Sequence, residues 1–347
     1  MRRPHFIGGD TVNIYTEQGW PDIRAIRSQG CPFIILTGGR GTGKTYSTLQ
    51  DILQQGEKFI YLRRKQKQID LCCKDKYNPF RKINHDTGSD VQAKKDGDTV
   101  NFLNGEEDIG TAMALSTAGD VRGADAYDVT VMVYDEFIPM PGERKIKGEG
   151  SNLLNLYETV NRNRELEGYQ PLQLIMLANS NDSANAVFLE LGLVQVAERL
   201  KKRGKFPAIY KNQDRGILLI DFGPTNEISQ KKKNTALYKL TCGSEFEAMA
   251  LSNEYSYNDK SRQASRSLNE YNPVVFVGEI AIYRHKSKDL YYCTQHRRGG
   301  APTFGGGSVE LRRFQNSCAW LWIVYMSNKI EFENYTCEAL LTKYFDK

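Results

Sequence analysis

The 347-residue sequence lacks the features that mark secreted, membrane-spanning or disulfide-rich proteins. It has no run of about 18 apolar residues of the kind that crosses a bilayer, and its longest apolar run, 319–326, is only as long as a strand. Its seven cysteines form no Cys-x-x-Cys pair, which favours reduced cytoplasmic thiols over a disulfide framework. The basic first residues are not followed by an apolar stretch, so we expect neither a secretion signal nor a membrane anchor.

The net charge of +5 is distributed unevenly along the chain. Residues 1–200 contain 24 Lys and Arg against 27 Asp and Glu, whereas residues 201–347 contain 23 against 15. The length and a hydrophobic content of 40% are sufficient for two domains with apolar cores. The basic second part predicts a polyanionic partner such as nucleic acid, with a solvated basic surface as the alternative.

Apolar segments of strand length alternate with helical patterns in the first 200 residues. This alternation predicts an α/β domain with a largely parallel sheet. The pattern predicts strands at 32–36, 59–62, 129–134 and 172–177, helices at 44–55 and 151–164, and a hairpin over 99–115.

The composition becomes polar and basic after residue 201, which indicates a connecting segment that extends to residue 272. Short apolar runs return after it. The pattern predicts strands at 274–283, 290–294, 318–325 and 329–332.

One segment satisfies the Walker A pattern G-x-x-x-x-G-K-[ST] between a predicted strand and a predicted helix. Its glycines let backbone N–H groups surround a phosphate, Lys44 supplies a positive charge, and Thr45 offers a hydroxyl to Mg²⁺. We expect it to bind a nucleoside triphosphate; a glycine-rich turn without a ligand is the alternative. The nucleotide-binding candidates are Gly38, Gly39, Arg40, Gly41, Thr42, Gly43, Lys44 and Thr45.

Acidic residues follow the predicted strand at 129–134. Asp135 at the end of the strand can hold Mg²⁺ through water, and Glu136 next to it can activate the attacking water. Asn179 and Ser180 follow the next strand and are candidates for sensing the γ-phosphate or the water. Loop residues without a catalytic role are the alternative. Tyr15 and Trp20 are candidates for stacking on the base.

Hydrolysis also needs positive charge on the transition state beyond Lys44, and a neighbouring subunit often supplies it as an arginine. Arg162 and Arg164 at the end of the predicted helix, and Arg122 before the acidic strand, are candidates; surface cations are the alternative. Possible DNA contacts are Arg63, Arg64, Lys65, Arg297 and Arg298.

These motifs together resemble the large-terminase-like DNA packaging ATPases of small tailed bacteriophages, in particular those that package protein-primed genomes with a packaging RNA. The resemblance covers most of residues 30–200 in the order of the family and continues more loosely through 231–258. It is carried by Gly39–Lys44, Glu57–Arg64, Tyr134–Ile138, Leu153–Leu156, Asn161–Glu165 and Ala178–Ser180.

The resemblance implies a viral genome packaging motor, a ring of identical ATPases that is pentameric in the family. It implies ATP and Mg²⁺ as cofactors, and double-stranded DNA, the viral portal or connector, and packaging RNA as partners. The ring would act in the host cytoplasm, transiently at the portal vertex of the procapsid. Arg162 matches the family's arginine finger, and Arg122 occupies the place of a lysine that also acts on the neighbouring subunit.

The resemblance also implies the domain organisation and fold class. We expect a P-loop ATPase domain of the additional-strand (ASCE) class with a mostly parallel sheet at 1–205, and a linker subdomain at 206–272. A smaller α+β domain, a vestigial RNase H-like nuclease that retains nucleic-acid binding, would occupy 273–347. Its predicted first strand offers only Glu279 as an acidic residue, so we expect no nuclease activity.

The leading hypothesis is therefore an ATP-hydrolysing motor that moves double-stranded viral DNA into a preformed capsid. A helicase-like ATPase that acts on single strands is the alternative among enzymes. A nucleic-acid scaffold that holds a structural nucleotide is the alternative without catalysis.

Overall fold

The computed structural model describes residues 13–117, 126–139, 143, 146–179, 182–223, 235–241 and 262–345. Contacts between Cα atoms divide the chain into two compact units. The first unit contains the described residues of 1–182 and 196–255, and the second unit contains those of 183–195 and 256–347. This division differs from the sequence-based boundaries at residues 205 and 272, because two strands after residue 205 join the sheet of the first unit.

The first unit is built on a nine-stranded sheet with the strand order β3-β4-β5-β2-β6-β7-β1-β9-β8. The six strands from β5 to β9 in this order pair in parallel, and antiparallel pairs extend the sheet at both sides. The strands are β1 (Phe33–Thr37), β2 (Lys58–Arg63), β3 (Val91–Asp96), β4 (Thr99–Asn104), β5 (Glu107–Ala114), β6 (Val129–Asp135), β7 (Gln173–Leu177), β8 (Ala208–Asn212) and β9 (Ile217–Asp221).

Helices follow the parallel strands β1, β2 and β6, as the alternation in the sequence predicts. The central strands are apolar almost throughout and buried, which is typical of parallel strands covered on both faces. The helices of the first unit are α1 (Ile23–Arg27), α2 (Lys44–Gln55), α3 (Gln66–Cys72), α4 (Arg81–Thr87), α5 (Glu149–Asn161), α7 (Val194–Arg203), which begins two residues before the unit boundary, and α8 (Ala236–Leu240).

The second unit has a five-stranded sheet with the order β13-β10-β11-β12-β14. Strands β10 to β12 form an antiparallel meander, and the short outer strands pair with it in parallel. Helices pack an apolar core that includes Phe314, Leu321 and Leu341 against the sheet. The elements are α6 (Ala186–Glu190), β10 (Tyr271–Val277), β11 (Ile280–His285), β12 (Tyr291–Thr294), β13 (Thr303–Phe304), α9 (Ser308–Ser317), α10 (Trp320–Met326), β14 (Ile330–Phe332) and α11 (Tyr335–Phe345).

Two of the predicted strands in this unit are wrong. The predicted strand at 274–283 is the hairpin β10–β11, because Gly278 turns the chain with φ of +50° between two buried apolar runs. The predicted strand at 318–325 is the helix α10, in which Leu321 faces the core while Ile323 and Met326 are exposed. A uniformly apolar run carries no periodicity that separates strand from helix.

The α/β class with a mostly parallel large sheet is confirmed. The RNase H-like assignment of the second unit stays a prediction. Among the described residues, we find no helix with the length and apolar character that a bilayer span requires.

Candidate nucleotide-binding site

The Walker A segment, Gly38–Thr45, is called the phosphate loop from here on. It connects β1 to α2 at the carboxyl edge of the parallel strands. Gly38 and Gly43 have φ of +142° and +84°, which glycine adopts readily and other residues rarely adopt. A Cβ atom at Gly38 would lie 2.9 Å from Cβ of Phe222, and one at Gly43 would lie 2.5 Å from the ring of Trp20. Both positions therefore require glycine for steric as well as conformational reasons.

Lys44 is the first residue of α2 and is only 3% exposed. Its Nζ donates hydrogen bonds to the carbonyl oxygens of Gly38 and Gly39 at 3.1 and 2.9 Å, and to Oγ1 of Thr42 at 3.0 Å. The ammonium group is thus held inside the loop, beside the backbone N–H groups that a phosphate would meet. This is the position that a phosphate-binding lysine needs.

Asp135 ends β6 and is 5% exposed. Its Oδ1 accepts hydrogen bonds from Oγ1 of Thr45 at 3.0 Å and from the backbone N–H of Glu136 at 3.1 Å, and its Oδ2 accepts one from the hydroxyl of Tyr61 at 2.7 Å. Burial and then the Asp135 carboxylate raise the pKa of Tyr61 well above its ordinary value, so the phenol remains a neutral donor. The structure therefore brings Thr45 and Asp135 together, as the sequence predicts.

Arg63, the last residue of β2, joins the two acidic residues. Its Nη1 donates to Oδ2 of Asp135 at 3.1 Å, and its Nη2 donates to Oε2 of Glu136. Burial opposes the charge of Arg63, but Tyr61 and the two carboxylates outweigh it and raise the arginine's pKa. Sequence reasoning placed Arg63 among possible DNA contacts and missed this role, because the ion pairs link residues more than 70 positions apart.

Glu136 and Asn179 meet at the carboxyl edge of the sheet, one strand apart. Glu136 has φ of +53°, an uncommon value for a residue other than glycine, and its side chain is 45% exposed. Nδ2 of Asn179, just after β7, lies 3.5 Å from Oε1 of Glu136. The glutamate carboxylate is thus accessible to water and oriented by two neighbours, Arg63 and Asn179. Ser180 lies outside the described residues.

Arg64 is placed in the interior of the first unit, away from any surface that DNA could reach. Its side chain is 1% exposed, and it donates to both carboxylate oxygens of Glu149 at 2.7 and 3.0 Å. Tyr134 donates to the same carboxylate at 2.5 Å. Glu143 accepts from Arg64 at 3.0 Å and lies 3.7 Å from Nζ of Lys65, which is 39% exposed. The cluster fastens the start of α5 to the ends of β2 and β6.

Arg162 follows α5 at the opposite edge of the sheet from Asp135. The helix begins with Glu149, held near the carboxyl ends of β2 and β6, and its 13 residues carry the chain about 18 Å away. Two residues after Arg162, Arg164 donates hydrogen bonds to the carbonyl oxygens of Tyr127 and Val129 at the start of β6. Arg162 itself is exposed, and Arg122 lies outside the described residues.

Three other arginines among the predicted site residues are exposed. Arg40 is at the surface of the phosphate loop. In the second unit, Arg297 donates to the carbonyl oxygen of Gly278, and Arg298 donates to Oδ1 of Asn269 at 2.6 Å. Both arginines are in an exposed basic loop that could contact a polyanion.

A cavity of about 720 Å³ lies beside the phosphate loop and is the candidate space for a nucleoside. Trp20, Gly43, Tyr46 and Ser47 are among its lining residues. Tyr15 instead packs against the ring of Phe222, at a centroid distance of 5.6 Å. Of the two aromatic candidates, Trp20 is the one that lines this cavity.

The oxygen donors of the site suit Mg²⁺. Among the described residues, no group of three or more His, Cys, Asp and Glu side chains is arranged to hold a metal ion. Mg²⁺ is typically bound by one or two protein oxygens together with substrate phosphates and water. Thr45 and Asp135, whose oxygens are 3.0 Å apart beside the phosphate loop, fit that mode of binding.

Strand β7 lies between β1, which precedes the phosphate loop, and β6, which ends at Asp135. This strand order is that of the additional-strand class of P-loop ATPase folds. The chain belongs to the Podovirus DNA encapsidation protein (Gp16) family, whose sequence model matches residues 26–284. Over 231 residues it is 28% identical to the DNA packaging protein of Bacillus phage phi29 and 30% identical to that of Bacillus phage B103. These alignments cover 63% of this chain and 61% and 63% of the relatives, so they span about three fifths of the curated relatives' length.

Two solved structures have the same fold over almost the whole chain. The Phi-28 gp11 DNA packaging motor aligns with a TM-score of 0.70 and 20% identity, covering 96% of this chain and 99% of that one. The bacteriophage Phi-29 viral genome packaging motor assembly aligns with a TM-score of 0.66 and 18% identity, covering 94% and 98%. At these identities the likeness establishes the fold.

Proposed function

We propose that this protein is an ATPase that drives double-stranded viral DNA into a preformed capsid. The observation that carries the proposal is the cluster of Lys44, Thr45, Asp135, Glu136 and Asn179 at one edge of an additional-strand sheet, in a chain of the DNA encapsidation family. As the family resemblance of its sequence implies, it would work as a homo-oligomeric ring, a pentamer, at the portal vertex in the host cytoplasm. Packaging RNA is a further proposed partner.

The residues of the cluster have separate roles in the proposed hydrolysis. Backbone N–H groups of the phosphate loop and the ammonium group of Lys44 bind the phosphates of ATP. Thr45 and Asp135 would hold Mg²⁺, which neutralises charge on the phosphates when bound. Glu136 accepts a proton from the attacking water, and Asn179 orients the glutamate or the water.

The placement of Arg162 supports a role in the neighbouring subunit. Because α5 carries it about 18 Å from the edge where Asp135 lies, a neighbouring copy is better placed than the same chain to receive its guanidinium. An arginine supplied in this way stabilises negative charge in the transition state of phosphoryl transfer. Arg122 is proposed, by family resemblance, to act on the same neighbour.

The second unit is proposed to contact DNA without cutting it. Arg297 and Arg298 offer charge in an exposed loop, and a motor that slides along any sequence needs contacts with phosphates rather than with bases. Glu279 lies in the β10–β11 turn and is exposed, so it is not on a strand where a two-metal nuclease would place its first carboxylate. We therefore propose that the protein has no Mg²⁺- or Mn²⁺-dependent nuclease activity.

Purified protein tests the proposal when ATP turnover is measured alone, with duplex DNA and with single-stranded DNA. The motor requires turnover that duplex DNA stimulates, no strand displacement, and ATP-dependent protection of DNA from added nuclease when empty capsids are present. Strand displacement with stimulation by single strands would instead identify the helicase-like ATPase. Nucleotide binding without turnover would identify the scaffold.

A further inference from the structure

The chain conformation at Arg162 is unfavourable and must be imposed by its surroundings. Arg162 has φ of +45° and ψ of −129°, a region that residues other than glycine rarely occupy. Such a conformation persists only where the surrounding structure imposes it, and residues held in this way cluster at functional sites. Some nearby contact must therefore fix the chain as it leaves α5.

Arg164, two residues later, is the buried anchor of this segment. It is 8% exposed, and its guanidinium donates to the carbonyl oxygens of both Tyr127 and Val129. The guanidinium also lies 5.9 Å from the centre of the Tyr127 ring. Arginine suits this place because one nitrogen of its planar group, Nη2, donates to both carbonyl oxygens while the group lies over a ring. A guanidinium is also more weakly hydrated than a lysine ammonium and is therefore easier to bury.

The backbone of Arg164 organises the rest of the turn. Its N–H donates to the carbonyl oxygen of Asn161 at 3.2 Å, and its carbonyl oxygen accepts from the N–H groups of Glu167 and Tyr169 at 3.1 and 2.9 Å. The rings of Tyr169 and Tyr127 pack edge to face at 5.8 Å. The turn of residues 161–169 is thus fixed to the start of β6 by the side chain of Arg164 and by the packing of Tyr169 on Tyr127.

We propose that Arg164 is a positioning residue for Arg162: it anchors the turn of residues 161–169 so that the exposed Arg162 points into the nucleotide site of the next subunit. This inference rests on the proposed function, in which Arg162 acts on a neighbouring copy. Arg164 touches no nucleotide. It acts only by keeping the chain at Arg162 in a conformation that the chain would otherwise leave.

Rings assembled from two kinds of variant subunit test the inference. If Arg164 positions Arg162, a neighbouring subunit with an intact Arg162 must compensate for the loss of Arg164 just as it compensates for the loss of Arg162. Arg164→Lys alone should reduce ATP turnover about 100-fold, the loss that a misplacement of about 1 Å can cause, while ATP affinity stays within about twofold. Mixed with Glu136→Gln subunits, which keep an intact Arg162, the Arg164→Lys subunits should regain part of their turnover. The double variant Arg162→Ala/Arg164→Lys should be no slower than Arg162→Ala.

The control is Glu165→Gln at the exposed neighbouring position, which should keep turnover within about twofold of the unaltered protein. Wild-type turnover of Arg164→Lys, or no recovery in mixtures at any ratio while ATP affinity is retained, would overturn the inference. If Arg162→Ala itself hydrolyses ATP normally, the proposed finger fails. If Arg162→Ala fails and is complemented while Arg164→Lys is fully active, only the positioning role fails.

A second variant decides the question if Arg164→Lys does not fold. Tyr127→Leu removes the ring beside the guanidinium but leaves both carbonyl acceptors in place. It should show the same pattern of loss and recovery in mixed rings with a smaller loss, about tenfold. Unchanged turnover in this variant would count against the anchor.

Discussion

The first unit buries ionised side chains, whereas the second unit, over its described residues, buries only neutral polar ones. In the second unit the buried polar residues are Ser183, Asn185 and Thr294. Taking an unpaired charge out of water costs several kcal/mol, so each buried charge needs a partner. The buried charged residues of the first unit are Lys44, Asp51, Arg64, Asp135, Glu149, Arg164 and Asp221.

This difference separates two uses of charge in one chain. Buried charges of the first unit have fixed partners, such as Glu149 for Arg64 and the loop carbonyls for Lys44, and these partners hold the charged side chains in place. The charges of the second unit remain at the surface, where they can act on a polyanion over a Debye length. Substitutions of charged residues should therefore affect catalysis or folding in the first unit and salt-dependent binding in the second.

The largest expected effect comes from Glu136, the proposed catalytic carboxylate of the first unit. Glu136→Gln should lower ATP turnover by about 10²–10⁴-fold, because the amide cannot accept the proton of the attacking water. ATP affinity should change little, since Lys44 and the phosphate loop are intact. A steady-state ATPase assay with a fluorescent-nucleotide binding titration checks both, and Glu106→Gln in an exposed turn is the control. Retained turnover would remove Glu136 from the mechanism.

The next largest effect tests whether the first unit depends on its buried pairs. Arg64→Met should lower the free energy of unfolding by about 3–5 kcal/mol, because the side chain of Glu149, only 3% exposed, loses its arginine partner. The double variant Arg64→Met/Glu149→Leu should be more stable than the single variant, since no unpaired charge remains. Denaturant unfolding measures both. If Arg64→Met is as stable as the parent, the first unit does not depend on its buried ion pairs, and the contrast drawn with the second unit is wrong.

A smaller effect is expected from the surface charge of the second unit. Binding of DNA becomes weaker as salt rises, and the slope of log K against log salt concentration measures this dependence. Arg297→Gln/Arg298→Gln should reduce the magnitude of this slope by about two, since each lost phosphate contact removes about one unit. The free energy of unfolding should change by less than about 0.5 kcal/mol per substitution. Fluorescence anisotropy across a salt series measures the slope. Arg312→Gln/Arg313→Gln, on α9, is the matched control, and equal losses in both would show that the basic loop has no special role.

The smallest effect concerns a buried acid of the first unit and its dependence on pH. Burial raises the pKa of Asp221 above its ordinary value of 3.8, so the folded chain holds that proton more tightly than the unfolded chain. The stability contributed by Asp221 is therefore present at low pH and is lost as the pH rises through the folded pKa. The asparagine in Asp221→Asn does not titrate, so the unfolding midpoint of this variant should rise relative to that of the parent as the pH increases from 4 to 7. A difference that is constant with pH would contradict the assignment.

Local patterns in the sequence identified the residues that the proposed chemistry of the first unit would use, but not the contacts that hold those residues in place. The glycine-rich loop and Asp135 after an apolar strand are recognisable because each signal lies within a few residues. The roles of Arg63 and Arg64 were not predictable, since their carboxylate partners are 73 and 85 positions away. In the second unit, α10 was misread because aromatic and apolar side chains occupy both its buried and its exposed faces.

The close packing of Trp20 against Gly43 has a spectroscopic consequence. The sequence contains three tryptophans, and the other two, Trp320 and Trp322, are in α10 of the second unit. A ligand that orders or displaces the phosphate loop must alter the surroundings of the Trp20 indole, which would touch any side chain added at Gly43. With phenylalanine at the two positions in α10, the fluorescence emission of one indole reports the state of the phosphate loop in real time.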